Sequence, residues 1–539
     1  MADSHTARLC VEIIHSNFGP LTAKIASVLL VRGRLPLPQL TRFTALRPRT
    51  VRACILVLVQ HNIIWHVLSD EGEMFEVNID ECLMRLRFGK FIYKSEELFG
   101  KPAAEVVQVI LDHGKLKMPD IMALLGIYDG KGIIAYTQAI HKLVSGHYLK
   151  PSTTLSHISP CDKRIQYEAE EKRKISGFPT AKELRQAKEV AEARLKREEE
   201  EAEKIGLKRK AKDQSGRSAK RKASESEESV DDAVYFRVNY ERFNVHLRNG
   251  LIVAAVKERF NHQAALVIRA AMKVTEQSQL SVSEVRSEPI SVANIMTQLP
   301  EDEDLGKGLA HSSKKTSNAT CIKDYLGMLS SADNPTAAGR ESSFVSFGTS
   351  KVQVEFEVVG RRLRRRLVES VAREKHGVEG VRILRLLSDT GKMDEKQISK
   401  IVMMAPKDVR PLLAALASDS LISTQEVPKS ADRNPTRTFY LWYVDHNKAH
   451  LAILGNVFKT LYNISMRRRA QREVPEVAAV LEKCERTDVS QDESLLTRME
   501  KDILKEWKEK QLKLTGLEAR VEESVFVLRD LRVLASNDN

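Results

Sequence analysis

Apolar and polar positions along this chain fall into a unit that recurs: an apolar helix, a short helix, a longer helix with basic residues near its start, and two strands around a polar turn. Within residues 376–445, apolar positions at helical spacing predict helices over 378–387, 395–403 and 406–421. Two β-rich runs follow, 422–427 and 438–444, split by the polar, Pro-containing stretch 429–436. That order is a helix-turn-helix followed by a β-wing. A second clear copy opens the chain. Residues 21–31 are an apolar helical stretch, 37–43 follow after Pro36 and Pro38, and Pro48 sits where a helix can begin. Val51, Ile55, Leu58 and Val59 then give residues 50–61 one buried face. Runs 63–68 and 74–77, around Ser69-Asp70-Glu71-Gly72-Glu73, complete a hairpin-like wing.

Two further copies are less sharply marked. Residues 103–154 carry helical stretches at 106–111, 119–125 and 135–144 and a weak strand from Tyr148. Another copy spans 235–359, with helices near 262–275, 290–299 and 321–329, strands at 343–347 and 352–358, and an insertion-like polar stretch at 301–317. Residues 165–232 change character: 181–203 read as a solvated helix rich in Ala, Glu, Lys and Arg, and 208–229 as too polar to offset their chain entropy by burial. After Asp445 the β signal ends. Leu451, Leu454, Phe458, Leu461 and Ile464 recur at helical spacing, and Leu514, Leu517, Val521, Val525, Leu528 and Leu531 form a stripe near the heptad period. Pairing of these two helices with each other would satisfy both stripes; a partner's helix is the alternative.

The expected fold is therefore mainly α with small β-wings: tandem extended winged-helix domains followed by a C-terminal helical coiled coil. The expected boundaries are 1–90 and 91–160 for the first two winged helices, 161–232 for a charged, partly disordered linker, 233–370 for a third winged helix with an insertion, 371–445 for a fourth, and 446–539 for the coiled-coil hairpin.

Composition narrows the function classes. The 539 residues suit several cores rather than one. No uninterrupted apolar run is long enough to span a bilayer, and residues 1–17 mix charges into their apolar positions, unlike a secretory signal, so an intracellular protein is expected. The six cysteines, Cys10, Cys54, Cys82, Cys161, Cys321 and Cys484, include no pair at the spacing of a zinc knuckle or redox motif. With 86 basic and 73 acidic residues the formal charge is +13, which favours a polyanionic partner.

Catalytic signatures are missing. The run Gly126-Ile127-Tyr128-Asp129-Gly130-Lys131-Gly132 is one residue short of a phosphate loop and has Gly132 where a magnesium-binding Ser or Thr belongs, so it reads as a turn between helices. His446 and His450 are four apart but lack a third ligand or a general-base Glu, and read as packing or surface residues. No Gly-x-Ser-x-Gly elbow or magnesium-holding acidic cluster is present, and no cofactor or metal is expected. Basic clusters are better candidates. Arg47, Arg49 and Arg52 stand at the start of a third helix, which in a helix-turn-helix protein is aimed at the DNA groove, although a solvated helix start is the plainer reading. Lys407 and Arg410 are a sparser equivalent, joined by Lys429, Arg433 and Arg437 on the wing. The densest cluster, Arg361, Arg362, Arg364, Arg365 and Arg366, is either a nucleic-acid or acidic-partner patch or the polar face of a helix whose other side is Leu363, Leu367 and Val371. Lys208, Arg209, Lys210 and Lys212, with Lys220, Arg221 and Lys222, look like a nuclear localisation signal or a solvated linker.

The run Phe18-Gly19-Pro20-Leu21 through Leu29-Leu30-Val31-Arg32-Gly33-Arg34-Leu35, then Leu37-Pro38-Gln39-Leu40 and Val59-Gln60-His61-Asn62, resembles the third-largest subunit of RNA polymerase III. So does Ala431-Asp432-Arg433-Asn434-Pro435-Thr436-Arg437-Thr438-Phe439-Tyr440-Leu441-Trp442. That family is the large member of the polymerase III specific heterotrimer and is similar to the large subunit of transcription factor IIE. The resemblance implies a nuclear, noncatalytic subunit docked on the clamp of the largest subunit and bound to the two other heterotrimer subunits. It implies promoter DNA and initiation factors as partners, no membrane, and a part in promoter recruitment and opening for small RNAs such as transfer RNA and 5S ribosomal RNA. The nucleotidyltransferase site then belongs to other subunits. A free-standing winged-helix DNA-binding regulator is the competing reading, and a pure assembly scaffold a third.

Overall fold

The computed structural model describes residues 3–69, 72–127, 130–175, 180–209, 228–300, 305–309, 317–330, 342–348, 351–428, 438–491 and 495–531. It divides into two units, Met1–His246 and Leu247–Asn539.

The first unit begins with helices Ser4–Phe18 and Pro20–Arg32, β1 (Leu35–Pro36), helices Leu37–Thr44 and Pro48–Gln60, β2 (Ile64–Ser69) and β3 (Gly72–Val77). The strands form an antiparallel sheet in the order β1-β3-β2. Proline stands at the first or second position of three of these helices, where its missing N–H costs nothing. The unit continues with helices Phe88–Phe99 and Lys101–His113, β4 (Leu116–Lys117), helices Met118–Leu124 and Gly130–Ser145, and β5 (Leu149–Pro151). Helices Pro160–Arg173 and Ala181–Lys204, β6 (Leu207–Arg209), β7 (Glu228–Val230) and β8 (Tyr235–Val238) follow.

Here the structure corrects two expectations. The second sheet has the order β4-β8-β5, so the strand that completes it comes from beyond the linker, whereas residues 233 onward were assigned to the third copy. Alternation explains this: Phe236 and Val238 are buried while Tyr235 is exposed, and Phe236 faces Leu116 in register as Val238 faces Leu149. The helix at 181–203 is also less solvated than expected. It packs on Pro160–Arg173 with Tyr167, Ala187 and Ala191 buried, because alanines let the two helices approach closely, and Lys163–Glu198 and Arg194–Glu170 pair across them at 2.6 Å. The disorder expected over 208–229 falls largely outside the described residues.

The second unit takes in the later turns of helix Tyr240–Arg259, then His262–Thr275, β9 (Ile290–Ser291), helix Val292–Thr297, the short turn Leu305–Gly308, helix Asn318–Ser330, β10 (Val345–Phe347) and β11 (Lys351–Val354). Its sheet order is β10-β11-β9. The strand expected to run to residue 358 ends at Val354, and Phe356 opens a helix. Part of the insertion at 301–317 is core: Leu305 is buried, and the Tyr325 hydroxyl donates to its carbonyl at 2.9 Å. Helix Phe356–Thr390, broken at Gly377, leads to β12 (Met393–Asp394), helices Glu395–Val402 and Pro406–Ser418, β13 (Ser423–Pro428) and β14 (Thr438–Tyr443), with order β12-β14-β13. Helices His446–Arg472, Pro475–Cys484, Thr487–Gln491 and Arg498–Val525 follow. The long pair runs antiparallel: Leu528 joins the core holding Ala449 and Ile453, and Arg468 meets Glu518 at 2.7 Å. Leu517, expected in the apolar stripe, is exposed.

Among the described residues, all four three-stranded sheets pair the short first strand with the last and the last with the middle one. Three copies also share a backbone signature. Gly19, Gly100 and Gly377 precede the first helix with φ of +87°, +85° and +70°, and Gly33, Gly114 and Gly391 end it with φ of +84°, +90° and +82°. Ala45, Gly126 and Met403 end the short helix in the left-handed region, and Asn62, His147 and Ser420 do so after the third helix. Between the first and fourth copies all intervals are identical, which aligns Pro48 with Pro406 and Val51 with Val409. The second copy keeps them as far as Gly126 and then lengthens. Among the described residues of the third copy no φ is positive, so it reaches the same sheet order by a different backbone route.

Candidate nucleic-acid interface

Helix Pro48–Gln60 buries Val51, Cys54, Ile55 and Leu58 and turns its opposite face outward. Arg47 is its N-cap residue, and Arg49 and Arg52 lie in the next turns; all three are exposed, and none has an ion-pair partner among the described residues. Three unpaired guanidinium groups at the positive end of a helix dipole raise the local potential and leave every donor open to an anion. In the fourth copy, Lys407 and Arg410 occupy the places of Arg49 and Arg52 and are likewise exposed. Lys407 has no partner among the described residues, whereas Arg410 donates to Glu395 at 2.6 Å. Lys429, Arg433 and Arg437 lie outside the described residues.

The arginines of helix Phe356–Thr390 are differently placed. Arg361 pairs with Glu357 at 3.2 Å, and Arg362 donates to the Ser342 carbonyl at 2.8 Å and lies over the Phe344 ring. Arg364 donates to the carbonyls of Val527, at 3.1 Å, and Leu531. Arg365 reaches Glu369 and Asp389, and Arg366 pairs with Glu258. Leu363 packs on one core, Leu367 and Val371 on the next. Each of the five guanidinium groups thus has an internal partner, which favours the polar-face reading. Burial also lowers the pKa of Arg364.

Of the two localisation clusters, Lys208 and Arg209 belong to β6 with side chains that are not described, and Lys210, Lys212, Lys220, Arg221 and Lys222 lie outside the described residues. The glycine-rich run lies between helices Met118–Leu124 and Gly130–Ser145, with Gly126 left-handed and residues 128–129 not described. His446 and His450 have ring centroids 6.3 Å apart, and burial, then Arg364 and His446, hold His450 at about 4. Among the described residues no group of His, Cys, Asp and Glu could hold a metal, and no helix is long and apolar enough to cross a membrane.

One charged cluster escaped sequence reasoning. Buried Lys115 meets His157 Nε2 at 2.6 Å, and the His157 ring lies 5.9 Å from that of His66. Burial, then Arg237, lowers Lys115 to about 8; burial, then Lys115, His66 and Arg237, lowers His157 to about 4. Arg237 also lies 3.8 Å from buried Glu81. No spacing marks this set, because Arg237 arrives on the strand from beyond the linker.

Two family models match, over segments that hold the two clearest cassettes: the RNA polymerase III subunit RPC82 helix-turn-helix domain at residues 8–68, and the POLR3C C-terminal winged-helix domain at residues 368–444. Over nearly its whole length the chain is similar to DNA-directed RNA polymerase III subunit RPC-3 of Coccidioides immitis, at 27% identity covering 98% of this chain and 99% of that protein. It is similar to subunit RPC3 of Bos taurus and of Homo sapiens, each at 25% identity covering 97% of both chains. Matched by domain models at residues 8–68 and 368–444, and over nearly its whole length by RPC-3 and RPC3 chains, the chain is similar to RNA polymerase III subunit RPC3.

Proposed function

We propose that this chain is a nuclear, noncatalytic component of RNA polymerase III that acts in promoter recruitment, DNA opening and initiation for small RNAs such as transfer RNA and 5S ribosomal RNA. Four tandem extended winged helices and a C-terminal coiled-coil hairpin serve mainly as docking surfaces for the clamp of the largest subunit, the two other heterotrimer subunits and initiation factors. Residues 208–222 supply the nuclear localisation signal. Promoter DNA is met by exposed helix starts, chiefly Arg47, Arg49 and Arg52, with Lys407 and the wing residues Arg433 and Arg437 in support.

The observation that carries the DNA contact is the contrast between two arginine clusters. Arg361, Arg362, Arg364, Arg365 and Arg366 are engaged within the protein, while Arg47, Arg49 and Arg52 stand exposed without a carboxylate among the described residues. No acidic partner among the described residues offsets three arginines placed against the helix dipole. Replacing all three with Ala leaves folding intact and weakens promoter opening and DNA crosslinking about tenfold in a reconstituted initiation assay. Unchanged opening and crosslinking would return the cluster to a plain solvated surface.

A further inference from the structure

The outward face of helix Pro48–Gln60 is not uniformly polar. Beyond Arg52 it carries Ala53, Leu56 and Val57, of which Leu56 is 69% and Val57 43% exposed. Across from it, Leu21 on helix Pro20–Arg32 is 47% exposed. Phe18, Leu21, Ala53, Cys54 and Val57 line an open groove of about 320 Å³, enough for two or three apolar side chains.

This groove is not a by-product of the shared backbone, as the second and fourth copies show. In the register fixed by the left-handed residues, the fourth copy has Glu379 for Leu21, Pro411 for Ala53, Ala414 for Leu56 and Ala415 for Val57. Leu412, in the place of Cys54, fills the space by packing on its own core. The second copy, aligned on His147, has Gln138, His141 and Lys142 in the places of Ala53, Leu56 and Val57. Neither of these two copies has the first copy's small residues inside the groove with large apolar ones on its lips. Two basic groups flank the groove: Lys24, one turn after Leu21, and Arg52, beside Ala53, are exposed without a carboxylate among the described residues.

We infer that this groove receives an amphipathic helix from another polymerase subunit, which inserts two apolar side chains between Leu21 and Val57 and turns carboxylates toward Lys24 and Arg52. Duplex DNA fits the groove poorly, since Leu56 and Val57 offer nothing to the donors and acceptors of base edges. A second copy of the chain fits poorly as well, because a two-fold contact would set Lys24 and Arg52 against their own kind. The inference rests on the polymerase-subunit reading; it shares Arg52 with the proposed DNA contact but does not depend on that contact, because Leu21, Lys24 and Val57 lie outside it.

The test places a photoreactive p-benzoylphenylalanine at Val57 of the full chain within the assembled polymerase and sequences the crosslinked peptide. The expected adduct is a peptide of another polymerase subunit with apolar residues three or four apart and flanking carboxylates. Leu21→Asp should cut its yield at least tenfold, and Lys24→Glu with Arg52→Glu several-fold, with the melting temperature unchanged. Adducts to DNA alone, to a second copy alone, or to no macromolecule overturn the inference when the polymerase core is present in the preparation. A preparation without that core contradicts the underlying subunit reading and the inference with it.

Discussion

Arg361 and Arg364 are three residues apart on one helix and have opposite prospects. Arg361 is exposed and makes an i,i+4 pair with Glu357, worth a few tenths of a kcal/mol. Arg364 bonds the Val527 and Leu531 carbonyls, so its removal strips partners from partly buried acceptors. In urea unfolding, Arg364→Ala should cost about 1–3 kcal/mol and Arg361→Ala less than ~0.5 kcal/mol; equal effects would contradict the assigned roles. Histidines make a second prediction. His61 is held at about 3 by burial, then by Arg85, His113 and Lys115, and His157 at about 4. An unfolded chain takes up these protons near pH ~6.5, where the folded one refuses them. Their contribution to stability is full above that pH and is lost as pH falls toward 4 and then 3. The melting temperature should therefore drop between pH 7 and 4.5, and His61→Gln with His157→Gln should flatten the profile; an unaltered slope would sink the assignment.

Among the elements, the helix-turn-helix cores of the first and fourth copies were legible because two strong signals coincide there. Apolar residues recur at helical spacing, and Pro48 and Pro406 mark the same helix start. The second sheet was not legible, since its closing strand lies across a charged insertion and nothing local ties Phe236 to Leu116 and Leu149. The arginine cluster was half legible: composition showed the charge, but partners as distant as Leu531 decide what it does. Nor does local periodicity reveal the left-handed signature. Gly19 has φ +87° and ψ 178°, a region essentially closed to side chains, so Gly19→Ala should destabilise by about 1–3 kcal/mol. Gly250 sits within helix Tyr240–Arg259, where an added Cβ meets nothing, and Gly250→Ala should instead stabilise by about 0.5–1 kcal/mol. Chemical denaturation of the two variants reads the contrast, and a shared sign would contradict the backbone assignment.

At the scale of the whole molecule, one backbone design serves three copies whose surfaces differ. The first copy presents free arginines and an apolar groove, the fourth a lysine and alanines, and the second polar side chains at the same places. Such divergence suits a subunit that meets several different partners, and suits a repeated reader of DNA sequence less well. A free regulator would bind duplex DNA alone, with affinity falling steeply as salt rises, because its binding rests on released counterions. A subunit held by docking surfaces stays in its assembly through the same salt. Affinity purification of the full-length tagged chain, washed at rising salt and followed by identification of what remains bound, separates the two. The core subunits of RNA polymerase III should persist through stringent washing; a chain that elutes without them, yet binds promoter duplex tightly on its own, would contradict the account.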